Sequence, residues 1–210
     1  MRFSIDPLNT LLHGEMIPVW LKAAYTLFVC LLVPVYWVRY GPANFLWFSD
    51  IALLATVPAL WLESRLLASM MAVGVVLLEL VWNVDFFVRL LAGTELVGLA
   101  RYMFDPQISR FLRALSLFHL ALPPLLLWLV YRLGYHPRAW LAQTLLAWVV
   151  LPASYLLTKP SDNINWVFGF GEKPQTWLPG PLYLALLMAL FPLLIYLPTH
   201  FVLKKVFAGP

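Results

Sequence analysis

Apolar residues fall into six long runs separated by short polar breaks, at 17–38, 43–62, 66–91, 113–133, 139–158 and 181–203. Each run has twenty residues or more, enough for a helix to cross the roughly 30 Å hydrocarbon core of a bilayer. The pattern predicts an all-α, polytopic membrane helix bundle of six transmembrane helices in a single membrane domain, 1–210. Gly41-Pro42 forms a turn and places proline where a helix can start. The break at Glu63-Ser64-Arg65 is so short that the second and third runs must pack as an antiparallel hairpin. Residues 1–16 read as an amphipathic or irregular lead-in. In residues 92–112 the apolar positions recur at mixed spacing, which predicts an interfacial helix lying on the membrane. The segment after Thr158 is rich in Gly, Pro and aromatics, and predicts a cap or a dip back toward the membrane.

Polar residues inside the runs refine the picture. The third run, LLASMMAVGVVLLELVWNVDFFVRLL, carries Glu79, Asn83 and Asp85. Ionisable groups at that depth need partners or a wet cavity. Glu79 and Asn83 share a helix face by their four-residue spacing, and Asp85 and Arg89 have the acid-first order of a helical ion pair. Alternating span direction places Asn44, Ser49, Asp50, Asn83, Asp85, Ser116, His119, Ser154, Tyr155, Asp162, Asn163 and Asn165 in one half of the bundle. The other half holds few intramembrane polar groups. In the fourth run Pro123 and Pro124 cannot donate to the carbonyls of His119 and Leu120, so two acceptors come free beside the histidine.

Composition excludes several classes. The chain is 62% hydrophobic and only 11% charged, far from the balance of a soluble domain. The net charge of +4 is scattered and offers no nucleic-acid-binding face. A single cysteine, Cys30, rules out an intrachain disulfide or a Cys-based zinc cluster and reads as a small core residue. No paired-histidine motif points to a metal, and no cofactor is implied. The first run is too long for a cleavable signal and is expected to stay as a helix in a multi-pass protein of a bacterial cell membrane. An even span count puts both termini on one side, and the tight cations of the termini-side loops favour the cytoplasm. The expected partners are membrane lipids, with a second copy or another membrane protein as further candidates.

Three functions fit these residues. The first is a lipid-directed hydrolase or acyltransferase. Ser49 would be its nucleophile, His119 its base, Asp50 or Asp85 the orienting carboxylate, and Asn44 or Asn163 the oxyanion donor. Glu79, Asn83, Tyr155 and Asn165 would line the pocket, and Trp166, in NINWVFGFG, would belong to a lid. The second is a proton-coupled small-solute transporter relaying through Glu79, Asp85 and His119. The third is a non-catalytic subunit of a membrane complex.

Six spans, a hydroxyl residue opening the second, a histidine early in the fourth and an aromatic-rich connector after the fifth form a recognisable combination. It resembles the six-helix membrane family of androgen-induced lipid hydrolases and their bacterial YwaF-type relatives. The resemblance implies cleavage of fatty-acid esters by a threonine and a histidine. FLWFSD places Ser49 at the threonine position, and SLFH places His119 at the histidine. This chain has serine instead of threonine, an adjacent Asp50 and additional carboxylates in the third run.

Overall fold

The structure, a computed structural model, describes residues 16–171 and 173–207. The lead-in 1–15, with His13, lies outside the described residues. The helices are α1 (Val19–Tyr40), α2 (Phe48–Trp61), α3 (Arg65–Ala92), α4 (Arg110–Leu115), α5 (Phe118–Leu133), α6 (Ala139–Leu157), α7 (Gly180–Leu190) and α8 (Leu197–Phe207). Short 3-10 turns cover Pro42–Leu46, Arg101–Phe104 and Ile164–Trp166, and a wide π turn, Phe191–Tyr196, joins α7 to α8. No strand occurs among the described residues.

Among the described residues five helical stretches are long and apolar enough to cross a membrane: α1, α3, α4 with α5, α6, and α7 through α8. Large apolar side chains such as Leu27, Val38 and Leu156 face outward, as they would toward lipid rather than water. The chain is therefore an apolar helical bundle of membrane character. The second predicted span is shorter than the rest. Its helix α2 has 14 residues, about 21 Å, and the five-residue 3-10 turn before it adds at most about 10 Å.

Helix α3 is the hub, packing most extensively against α5, α2 and α6. Ser64 caps its start by accepting the Leu67 amide, and Gly93 ends it in the left-handed conformation that glycine adopts freely. The α2–α3 turn is held by Glu63, which accepts the amides of Met16 and Ile17 and bonds the Lys22 ammonium at 3.0 Å. Burial alone would raise this carboxyl. The Ile17 amide, the Lys22 ammonium and the Met16 amide outweigh that and hold it below its ordinary value.

Two expectations are corrected. The connector 92–112 forms no interfacial helix. Its amides turn inward onto a buried carboxylate (below), and its Arg101–Phe104 turn packs against α3, where Trp82, Ala100 and Met103 form one buried cluster. Cys30 is exposed on the outer face of α1 rather than packed in the core.

Prolines shape two helices. Between α4 and α5 the amides of Leu117, His119 and Leu120 bond carbonyls three residues back, a local 3-10 tightening. Pro192 cannot donate to the Met188 carbonyl. That carbonyl instead accepts the Trp148 indole at 2.9 Å.

Candidate functional site

Helices α1, α2, α3 and α5 and the connector bring a set of polar groups into one buried layer. Glu79 of α3 meets His119 of α5, with Oε2 to Nδ1 at 2.8 Å. The imidazole stacks on Trp82 at 4.7 Å and on its neighbour Phe118 at 4.1 Å. Asn83, one turn beyond Glu79, donates to the His119 carbonyl at 3.1 Å, the acceptor that Pro123 sets free. Two side chains of α3 thus fix both the ring and the backbone of His119.

Asp50 of α2 lies close enough to Glu79 for the two charges to interact. It is only 4% exposed and Glu79 only 3%. Asn44 donates to Asp50 Oδ2 at 3.3 Å, while Oδ1 has no hydrogen-bond partner among the described residues. Three hydroxyls complete the layer. Tyr36 of α1 and Ser116, between α4 and α5, share a hydrogen bond of 2.7 Å. Tyr102, delivered by the connector, faces Ser116, Tyr36, Glu79 and Asp50. Burial, more than those neighbours, pushes the Tyr102 phenol above its ordinary range, so it stays protonated. Beside Asn44 a hollow of about 190 Å³ opens outward between Tyr40, Ala43, Trp47, Asp162 and Ile164.

The remaining predicted residues hold other positions. Ser49 adjoins Asp50 on α2 but forms no hydrogen bond with His119 among the described residues. Asp85 pairs with connector amides rather than with Arg89. Its Oδ1 accepts from Leu96, Val97 and Gly98 and its Oδ2 from Ala100, at 2.8–3.2 Å. Arg89 bonds Glu95 at 2.7 Å, and Arg101 bonds the same carboxylate. Asn163 folds its own loop, donating to the Gly169 and Gly171 carbonyls and accepting the Phe168 amide. Asn165, in the left-handed region at φ 54, accepts the first amide of α2 from Phe48 and donates to Leu46 and Ser154. Trp166 packs edge-on against Trp47, and Tyr155 stacks on Phe168. Asn165, Trp166 and the Tyr155–Phe168 stack dock the segment Asn163 to Phe168 onto the start of α2 and onto α6.

The termini half is more polar than expected. Ser69, Gln143, Thr144, Tyr135, Tyr196 and His200 are all buried there. Of the residues in the central layer, Tyr36 and Tyr102 were hidden in the sequence because tyrosine near a span end reads as an interfacial anchor. Among the described residues no group of His, Cys, Asp and Glu could hold a metal ion.

The chain matches no family model, no curated protein and no solved structure. Its function has to be read from the geometry.

Proposed function

We propose that the chain moves protons across the membrane, as the proton-coupled element of a small-solute transporter, with Asp50, Glu79 and His119 as the proton-binding centre. The contact of 2.8 Å between Glu79 Oε2 and His119 Nδ1 carries this reading. A carboxylate and an imidazole so placed share one proton. A second carboxylate, Asp50, stands within Coulombic range with one oxygen unpartnered. Carboxylates at membrane depth are costly unless a proton or a charged partner compensates them, which suits such a centre to taking up and releasing protons. The hydroxyls of Tyr36, Ser116 and Tyr102 both donate and accept, as proton hopping requires. The hollow beside Asn44 supports access from one face.

The same pair favours a second reading. Glu79 orients His119 as a general base is oriented, which supports a lipid-directed hydrolase or acyltransferase as the alternative, with Ser49 of the neighbouring helix its candidate hydroxyl. One experiment separates the two. Purified protein is placed in liposomes loaded with a pH-sensitive dye, and proton entry is driven by a potassium diffusion potential. Wild type exceeds protein-free vesicles, Glu79→Gln and Asp50→Asn fall to the protein-free rate, and Ser49→Ala is unchanged. Wild-type flux in Glu79→Gln sinks the proton reading. Fatty-acid release that vanishes in Ser49→Ala and His119→Ala establishes the hydrolase instead.

A further inference from the structure

We infer that the hollow beside Asn44 binds a small organic ammonium group, whether of a free solute or of a lipid headgroup. The inference deepens the proton-moving reading by naming its solute class and rests on that reading to this extent.

Three segments build the walls. Tyr40 ends α1, the 3-10 turn after it supplies Asn44 and leads into Trp47, and the connector after α6 supplies Asp162. Gly41 makes the reversal between the first two at φ 80, a conformation that costs glycine little. Asn165 ties the third segment to the second, accepting the Phe48 amide and donating to the Leu46 carbonyl. Trp47 rests edge-on against Trp166 at 5.9 Å. At about 190 Å³ the hollow is smaller than the roughly 300–1,000 Å³ of sites for drug-sized ligands, which suits a headgroup or a compact solute.

The side chains around it select a cation. Tyr40 and Trp47 bring aromatic rings, whose faces attract ammonium groups. Asp162 brings a carboxylate that holds the Lys159 amide and the Ser161 hydroxyl. Among the described residues no ammonium or guanidinium pairs with it. A second carboxylate stands behind the wall. Asn44 both lines the hollow and donates to Asp50 Oδ2 at 3.3 Å, so one amide separates an occupant from Asp50. Asp50 is 4% exposed, and its Oδ1 has no hydrogen-bond partner among the described residues. A buried acceptor left in that state gains from a cation brought near it. The cations at this rim are Arg39, within Coulombic range of Tyr40, and Lys159. Both are exposed and neither lines the hollow. An anion would face two carboxylates. A bare metal ion finds no group of His, Cys, Asp and Glu able to hold it among the described residues.

Equilibrium binding of radiolabelled choline and ethanolamine to the full chain in detergent tests this. Saturable binding is expected for at least one of them. Tyr40→Leu and Asp162→Asn, both at exposed positions, should each weaken it about fivefold. Trp47→Leu should do the same if it folds. Glu95→Gln, an acid outside the hollow, should leave binding as in wild type, which separates a site from general attraction to negative charge. Displacement of choline by phosphatidylcholine but not by phosphatidylglycerol assigns the site to a headgroup, and binding indifferent to both lipids assigns it to a free solute. Binding that is unchanged in both Tyr40→Leu and Asp162→Asn overturns the inference. So does the absence of saturable binding together with no preference for phosphatidylcholine over phosphatidylglycerol. Ammonium binding beside a proton flux indifferent to Glu79→Gln keeps the site and removes the transport reading; flux lost in Glu79→Gln without ammonium binding does the reverse.

Discussion

Single side chains in this bundle bind backbone atoms more often than each other, and two of them give measurable consequences. Glu63 gathers two amides and the Lys22 ammonium at the α2–α3 turn. Its folded-state carboxyl lies below the ordinary 4.5, so its contribution is present above that value and is lost as pH falls through the folded one. Melting in detergent should therefore weaken progressively below about pH 4.5, and Glu63→Gln should flatten that part of the profile. An unchanged slope in Glu63→Gln would assign the acid sensitivity elsewhere. Asn83 is the second case. It satisfies a carbonyl orphaned by proline, so Asn83→Ala should cost about 1–3 kcal/mol. In a Pro123→Ala background residue 123 regains its amide and competes for the same carbonyl, so the cost should shrink. Additive effects in that double-mutant cycle would refute the link.

At the scale of elements, the connector between α3 and α4 is a loop wound on one carboxylate. Asp85 receives four amides within five residues, and the turn that follows delivers Tyr102 to the layer of Asp50, Glu79 and Ser116. Asp85→Ala should lower stability by about 3 kcal/mol or more and speed hydrogen exchange at the amides of Leu96, Val97, Gly98 and Ala100. Protection retained at all four would show that the loop is held by something else. None of this was visible in the sequence, because backbone amides carry no side-chain signal and Asp85–Arg89 spacing pointed to an ordinary helical pair. The same limit hid the work of Asn163 and Asn165, which fold and dock a loop through carbonyls and amides. Where proline frees a carbonyl, the sequence was informative. The His119 carbonyl freed by Pro123, which accepts from Asn83, is the example; the Glu79–His119 contact joins two helices and no spacing announces it.

Across the whole molecule, run length and hydropathy located the helices because a bilayer imposes one length on every crossing segment. The hub was legible for a related reason: α3 carries the polar cargo that no lipid-facing helix can hold. The termini half was misjudged as nearly apolar, since Gln143, Tyr196 and His200 lie singly in long apolar runs and only packing gathers them. Their gathering depends on the wide turn at Phe191–Tyr196. A turn that closes over five residues rather than four takes in one residue beyond the α-helical count, which rotates everything after it by about 100°. The turn works as a phase shifter within an otherwise continuous rod. Shortened by a single residue, the turn would leave the last helix its length and its greasy surface but swing His200 away from Tyr135 and toward the acyl chains.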